Sequence, residues 1–181
     1  MTCSDTSHDG RNTELGRDEY SIDPFFFGAL RLRTLVTFKS TAFNSSEPRD
    51  YFINPCCFGD DVARWLINEL RKRGFETSEE PQQEDFGWYF GFPIRGLSHT
   101  FFIGFRSANS TADGEWIGWI ERTRGLIGSM LGTEKVGVQP DAVHTIHSIL
   151  SESKVIDEVR WHLQSEFDRG QEEAGASAPE T

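Results

Sequence analysis

Basic residues are scarce in this chain, with 18 Lys and Arg against 29 Asp and Glu and a formal charge of −11. Phosphate backbones repel such a surface, and their attraction normally supplies most non-specific affinity for nucleic acid, so the balance weighs against DNA or RNA as a partner. Cysteine is almost missing too. Three residues (Cys3, Cys56 and Cys57) are too few for a disulfide framework, which points to the cytoplasm as the compartment. The start of the chain has neither the basic region nor the apolar core of a secretory signal. The strongest apolar cluster, residues 24–30, is far short of the ~20 residues that span a bilayer, so no membrane span is expected. No stretch of 20–50 residues repeats, which excludes solenoids and propellers.

Aliphatic bulk is low and aromatic bulk is not. Fifteen Phe and five Trp concentrate the apolar area in a few large side chains, enough for one core in a chain of 181 residues. Residues 1–20 and 168–181 are polar and lack apolar periodicity, so both are expected to be disordered tails around a single α+β domain at 21–167. The two ends also hold most of the net charge. Residues 1–20 carry two Arg against five acids, and 164–181 carry one Arg against five. Between them, Glu76, Glu79, Glu80, Glu84 and Asp85 fall in one stretch without a base, which makes a local negative patch.

Periodicity orders the elements. Alternation over residues 30–38 predicts a strand with an oily face (Leu30, Leu32, Val36, Phe38) and a basic one (Arg31, Arg33). Asp60 or Asp61 is expected to cap a helix that runs to about Arg73, since Val62, Trp65, Leu66 and Leu70 share a face and Gly74 follows. Arg71, Lys72 and Arg73 complement the negative end of its dipole. After the acidic loop, Phe86, Trp88, Phe90, Phe92 and Ile94 alternate along a strand. A hairpin turn over 95–98 leads to a second strand over 100–106, and the loop 109–114 leads to a third over 115–121, so the three form a meander. Residues 122–139 are too rich in glycine for a confident helix. Pro140 then opens a helix to about Leu150 with Val143, Ile146, Ile149 and Leu150 buried. Residues 154–163 fit either a closing strand or a short helix. The order predicts an α+β fold, an antiparallel sheet of four to five strands with two main helices packed on one face. Gly91, Gly104 and Gly118 fall mid-strand and need a reason, for which close helix packing is the preferred one.

Chemistry-bearing residues are sparse. Asp141, His144 and His147 stand three apart on one helix face and are the weak candidates for metal ligands, although spacing of this kind also arises on an ordinary solvated face. Cys56 and Cys57 precede a helix N-terminus, where a thiolate would be stabilised, but adjacent cysteines also fill space as small apolar groups. Gly125 to Gly132 lacks the Lys-Ser/Thr ending of a phosphate loop. Phe101, Ile103 and Phe105 beside Arg106 suggest a base-stacking platform, but a core face accounts for the same alternation. Glu84 and Asp85 are sequence neighbours and point apart on a strand, so no cooperating carboxylate pair follows. No cofactor is implied.

The runs Phe58-Gly59-Asp60-Asp61-Val62-Ala63-Arg64-Trp65-Leu66, Gly74-Phe75 and Glu84-Asp85-Phe86-Gly87-Trp88 resemble a pattern in small bacterial proteins that have no assigned activity. The resemblance covers about residues 56–120 and, in part, the last helix and Val159-Arg160-Trp161, with Phe86 standing where those proteins usually have Trp. It implies neither catalytic residues nor a cofactor. The leading expectation is therefore a non-enzymatic module of the inhibitor or immunity-protein kind, which binds a protein partner through Glu79, Glu80, Glu84, Asp85 and Trp88. The competing expectation is a small enzyme or ligand-binding domain with a pocket between sheet and loops that uses His144, His147, Cys56 or Cys57.

Overall fold

The structure, a computed structural model, describes residues 31–107, 114–123 and 137–180. The N-terminal stretch 1–20, loop residues 109–113 and residues 124–136 of the glycine-rich connection lie outside the described residues. The elements in chain order are β1 (Leu35–Lys39), α1 (Asp60–Lys72), β2 (Gln82–Glu84), β3 (Gly87–Ile94), β4 (Leu97–Ser107) and β5 (Gly114–Arg122). They are followed by α2 (Pro140–Glu152), β6 (Asp157–His162), a single turn α3 (Gln164–Phe167) and a 3-10 turn (Glu172–Ala174).

The described residues form one antiparallel six-stranded sheet in the order β2-β3-β4-β5-β1-β6, so the fold is α+β. The sheet has more strands than the four to five expected. The addition is β2, inside the supposed acidic loop, while β6 resolves the ambiguity over residues 154–163 in favour of the fifth strand. β3, β4 and β5 form the meander. A two-residue turn, Arg95-Gly96, joins β3 to β4 with both residues at positive φ (50° and 75°), the twist that a tight hairpin needs.

Side chains alternate across the sheet, so register assigns the faces. Val36, Trp88, Ile103 and Trp161 lie on one face, as do Phe90, Phe101 and Ile120. These pack with Val62, Leu66 and Leu70 of α1 and Val143, Ile146 and Ile149 of α2 in a single core. Both helical stripes are thus buried where the 3.6-residue period places them. The platform idea for β4 ends here, because Phe101 and Ile103 are fully buried core residues.

Several expectations are corrected. The first strand starts at Leu35 rather than Leu30, and it has no basic face, because it lies between β5 and β6 and both its sides are covered. The N-cap of α1 is Gly59, with no side-chain cap, so neither Asp60 nor Asp61 plays that part. Phe86 does not share the face of Trp88. Gly87, at φ 151°, breaks the alternation, and a Cβ there would stand 2.5 Å from the Ile103 carbonyl oxygen. Phe86 instead folds onto the helix-free face against Phe102 and Trp119, at ring distances of 5.7 Å.

The mid-strand glycines touch no helix. A Cβ at Gly91 would meet Ser78 Oγ, at Gly104 the Phe86 carbonyl, and at Gly118 the ring of Phe101 at 2.5 Å. Each space is filled by a neighbouring strand or loop.

The segment after β6 is docked where a loose tail was expected. Ala176 and Trp161 exchange two backbone hydrogen bonds of 2.7 and 2.9 Å, and the Arg33 amide donates to the Pro179 carbonyl at 2.8 Å. Arg106 forks onto Glu172 at 2.7 and 2.5 Å, and Glu180 reaches His144 at 3.0 Å. Polar composition suggested disorder, but the edge of β6 offers unpaired backbone groups that an extended segment satisfies.

Candidate functional site

The acidic stretch and the loop before α1 meet at the β2 edge of the sheet. Gln83 on β2 holds the two together. Its side chain accepts the Ile53 amide at 2.6 Å and donates to the Asn54 carbonyl at 2.8 Å. Asn54 Nδ2 and the Cys57 thiol both donate to the Asp85 carbonyl, at 3.3 and 3.0 Å, and Trp88 donates its indole N–H to the Cys57 carbonyl at 2.9 Å. Loop and hairpin therefore present one surface of fixed geometry.

That surface is apolar at several points. Among the described residues four large hydrophobic side chains are exposed, and three of them lie here: Tyr51, Ile53 at 81% exposure and Phe86. Tyr51 stacks edge-on against Phe52 and Trp88, and its hydroxyl donates to Asp60, a carboxylate that is buried at the first turn of α1 and also approached by Arg49 at 3.9 Å. Burial, then the neighbouring Asp60 carboxylate, pushes the Tyr51 hydroxyl above its ordinary pKa, so the ring stays neutral. This Tyr51–Asp60 pair carried no signal in the sequence, because Tyr51 sits in a loop with no periodicity.

The expected partner-binding residues divide into separate groups. Glu84 and Asp85 are exposed beside Phe86, and neither carboxylate forms an ion pair among the described residues. Glu80 is exposed but is paired with Arg64 of α1. Glu79 is exposed, and its carbonyl receives Arg71, which also donates to Thr77 and Ser78. Arg71 therefore fastens the acidic loop in addition to facing the helix dipole, whereas Lys72 and Arg73 pair with Glu69, and Arg73 also with Glu152. Trp88 is 4% exposed and belongs to the core, so it is no contact residue. Its alternation with Phe90 and Phe92 already indicated as much.

The alternative chemistry does not assemble. Asp141 pairs with Arg95, His144 with Glu180, and His147 Nδ1 accepts the Trp161 indole N–H at 3.1 Å. The three point to separate partners, and no group of three or more metal-ligating side chains stands together among the described residues. Cys56 is exposed, with its amide donating to Asn54 Oδ1. Burial, then Asp85, pushes the Cys57 thiol up, the reverse of the shift that activates a nucleophile.

Two histidines that sequence reading passed over are buried. His99 lies beneath α2 and accepts the Gln139 amide at 3.3 Å. His162 lies under the C-terminal segment, with Nε2 3.0 Å from the Thr37 hydroxyl. Burial lowers both below the ordinary imidazole value.

No helix among the described residues is long and apolar enough to cross a membrane. Comparison of the chain with protein-family models, curated proteins and solved structures finds no match.

Proposed function

We propose that this chain is a non-enzymatic, cytoplasmic protein-binding module, of the inhibitor or immunity-protein kind, whose contact surface is the β2 edge. One observation carries the reading. Tyr51 and Ile53 are exposed on the loop, and Glu84, Asp85 and Phe86 are exposed on the hairpin, two segments locked together by side-chain hydrogen bonds. Scattered single hydrophobics are ordinary, but three on hydrogen-bonded segments that also carry exposed acids match the make-up of a recognition patch. Aromatic anchors supply the affinity, while the carboxylates select a basic partner and speed the encounter. The acidic surface disfavours nucleic acid as that partner.

The test is affinity capture from native lysate at low and moderate salt, with the natural chain and with an Ile53→Asp, Phe86→Ser double variant. The reading expects a partner with a basic surface that is held less firmly at the higher salt and lost by the variant. Recovery of no stable partner at either salt, or equal capture by the variant, overturns it.

A further inference from the structure

The C-terminal segment returns over the helix-free face of the sheet and closes on His162. That ring is 2% exposed at the end of β6, with Nε2 3.0 Å from the Thr37 hydroxyl of β1. Its other nitrogen, Nδ1, is buried and has no hydrogen-bond partner among the described residues. Phe167 stands edge-on to the ring at 5.4 Å. A Cβ at Gly175 would stand 2.7 Å from Nδ1, so the backbone of the segment lies directly on that nitrogen.

Three attachments hold the segment down. Ala176 and Trp161 exchange two backbone hydrogen bonds, the Arg33 amide donates to the Pro179 carbonyl, and Arg106 of β4 forks onto Glu172. We infer that residues 171–180 form an acid-released strap with His162 as its trigger, closed over the neutral ring and driven open by the protonated one.

Burial sets the direction. An imidazolium carries an N–H on each nitrogen and a full charge, and beneath the strap the Nδ1–H has no acceptor among the described residues. The charged groups that face the ring are Glu172 of the strap, Glu115 of β5, Arg160 of β6 and Arg106 of β4. The carboxylates favour the proton and the guanidiniums oppose it, but Arg106 is already bonded to both carboxylates. Burial outweighs these groups and holds the covered ring below its ordinary value. Once the strap lifts, water solvates the ring and the proton binds at its usual strength. The contribution of His162 to closure is therefore fully present above pH 6.5 and is lost as pH falls through the value of the covered ring.

Two other acid-sensitive groups at the strap do not produce this release. Arg106 holds the Glu172 carboxyl below its usual range, so it stays ionised near neutrality. Protonation of His144 tightens its contact with Glu180 and so opposes opening. Opening uncovers the amide and carbonyl of Trp161, edge groups of the kind that pair with an added strand.

Hydrogen exchange of the full chain tests the inference. Exchange at Ala176 and Trp161, corrected for the intrinsic effect of pH, is expected to accelerate about fivefold between pH 7.5 and pH 5.5, with a smaller change in α1 and α2. In His162→Gln, which takes up no proton, that acceleration disappears, whereas His99→Gln retains it. No acceleration in the natural chain, an equal one in His162→Gln, or one matched by the helices overturns the inference. Should His162→Gln fail to fold, Ala176→Pro decides, because it removes the amide that donates to the Trp161 carbonyl and changes no charge. A loosened strap then moves the NMR titration of His162 up toward 6.5. An unmoved titration overturns the inference. Neither readout involves the β2 edge, so either reading can fail alone.

Discussion

Trp88 donates its indole N–H to the carbonyl of Cys57 at 2.9 Å, from inside the core to the loop outside it. The same carbonyl has only a longer contact from Gln83, at 3.4 Å. This bond joins a buried residue of the β3 hairpin to the loop that displays Ile53, so core packing fixes the shape of the proposed contact surface.

Trp88→Phe tests that coupling. The ring volume is largely kept, but the Cys57 carbonyl loses its best donor, which costs about 1–2 kcal/mol. Urea unfolding is expected to show that loss, and amide exchange at Ile53 is expected to speed up more than exchange in α2. Partner binding, if present, should weaken in parallel although Trp88 itself touches no partner.

The glycine positions make an internal contrast. Gly118→Ala places a methyl 2.5 Å from the Phe101 ring and 3.0 Å from the Phe102 carbonyl, so the variant is destabilised by about 1–3 kcal/mol. Gly137→Ala meets nothing within 4 Å and is expected to shift the unfolding midpoint by less than about 0.5 kcal/mol. Equal effects at the two sites would show that Gly118 is not packed as described.

Acid should destabilise the fold through its buried imidazoles. Desolvation lowers His99 and His162 below 6.5 in the folded chain, whereas the unfolded chain takes up protons near 6.5. Below that value the unfolded state binds more protons, so stability is fully present above pH 6.5 and is lost as pH falls toward the folded pKa values. The Glu172 and Glu115 carboxylates soften the effect at His162, and Arg160 and Arg106 reinforce it. The urea midpoint is expected to drop between pH 7.5 and pH 5.5. NMR titration of the two imidazoles checks the assignment, and a midpoint that holds or rises on acidification contradicts it.

Removing one anchor should loosen the C-terminal segment without unfolding the domain. Arg106 forks onto Glu172, pairs with Glu115 and sits 5.6 Å over the Phe167 ring. These groups are partly exposed, so Arg106→Ala is expected to cost no more than about 1 kcal/mol globally. Local opening is more sensitive, and hydrogen exchange at Ala176 and Trp161 should accelerate while the amides of α1 remain protected.

The legible parts of this molecule were those written in local periodicity. α1 showed itself through Val62, Leu66 and Leu70, α2 through Pro140 and the Ile146 stripe, and the meander through alternating aromatics. Within the candidate surface, the exposed carboxylates of Glu84 and Asp85 could be read because a run of acids without bases has no core to enter. Trp88 was assigned to the contact surface although its alternation with Phe90 and Phe92 pointed to the core, and Phe86 was placed on the same strand face because alternation does not reveal that Gly87 turns the chain between them.

By itself the sequence determined an acidic α+β chain, two amphipathic helices and a strand meander, because each depends on side chains only a few residues apart. Only the tertiary structure decided that β1 lies between β5 and β6, that His99 and His162 are buried, and that residues 164–180 close over one sheet edge. Those outcomes depend on backbone hydrogen bonds and contacts between residues as distant as Arg33 and Pro179. No local pattern encodes such pairings, since their free energy appears only when the whole sheet has formed.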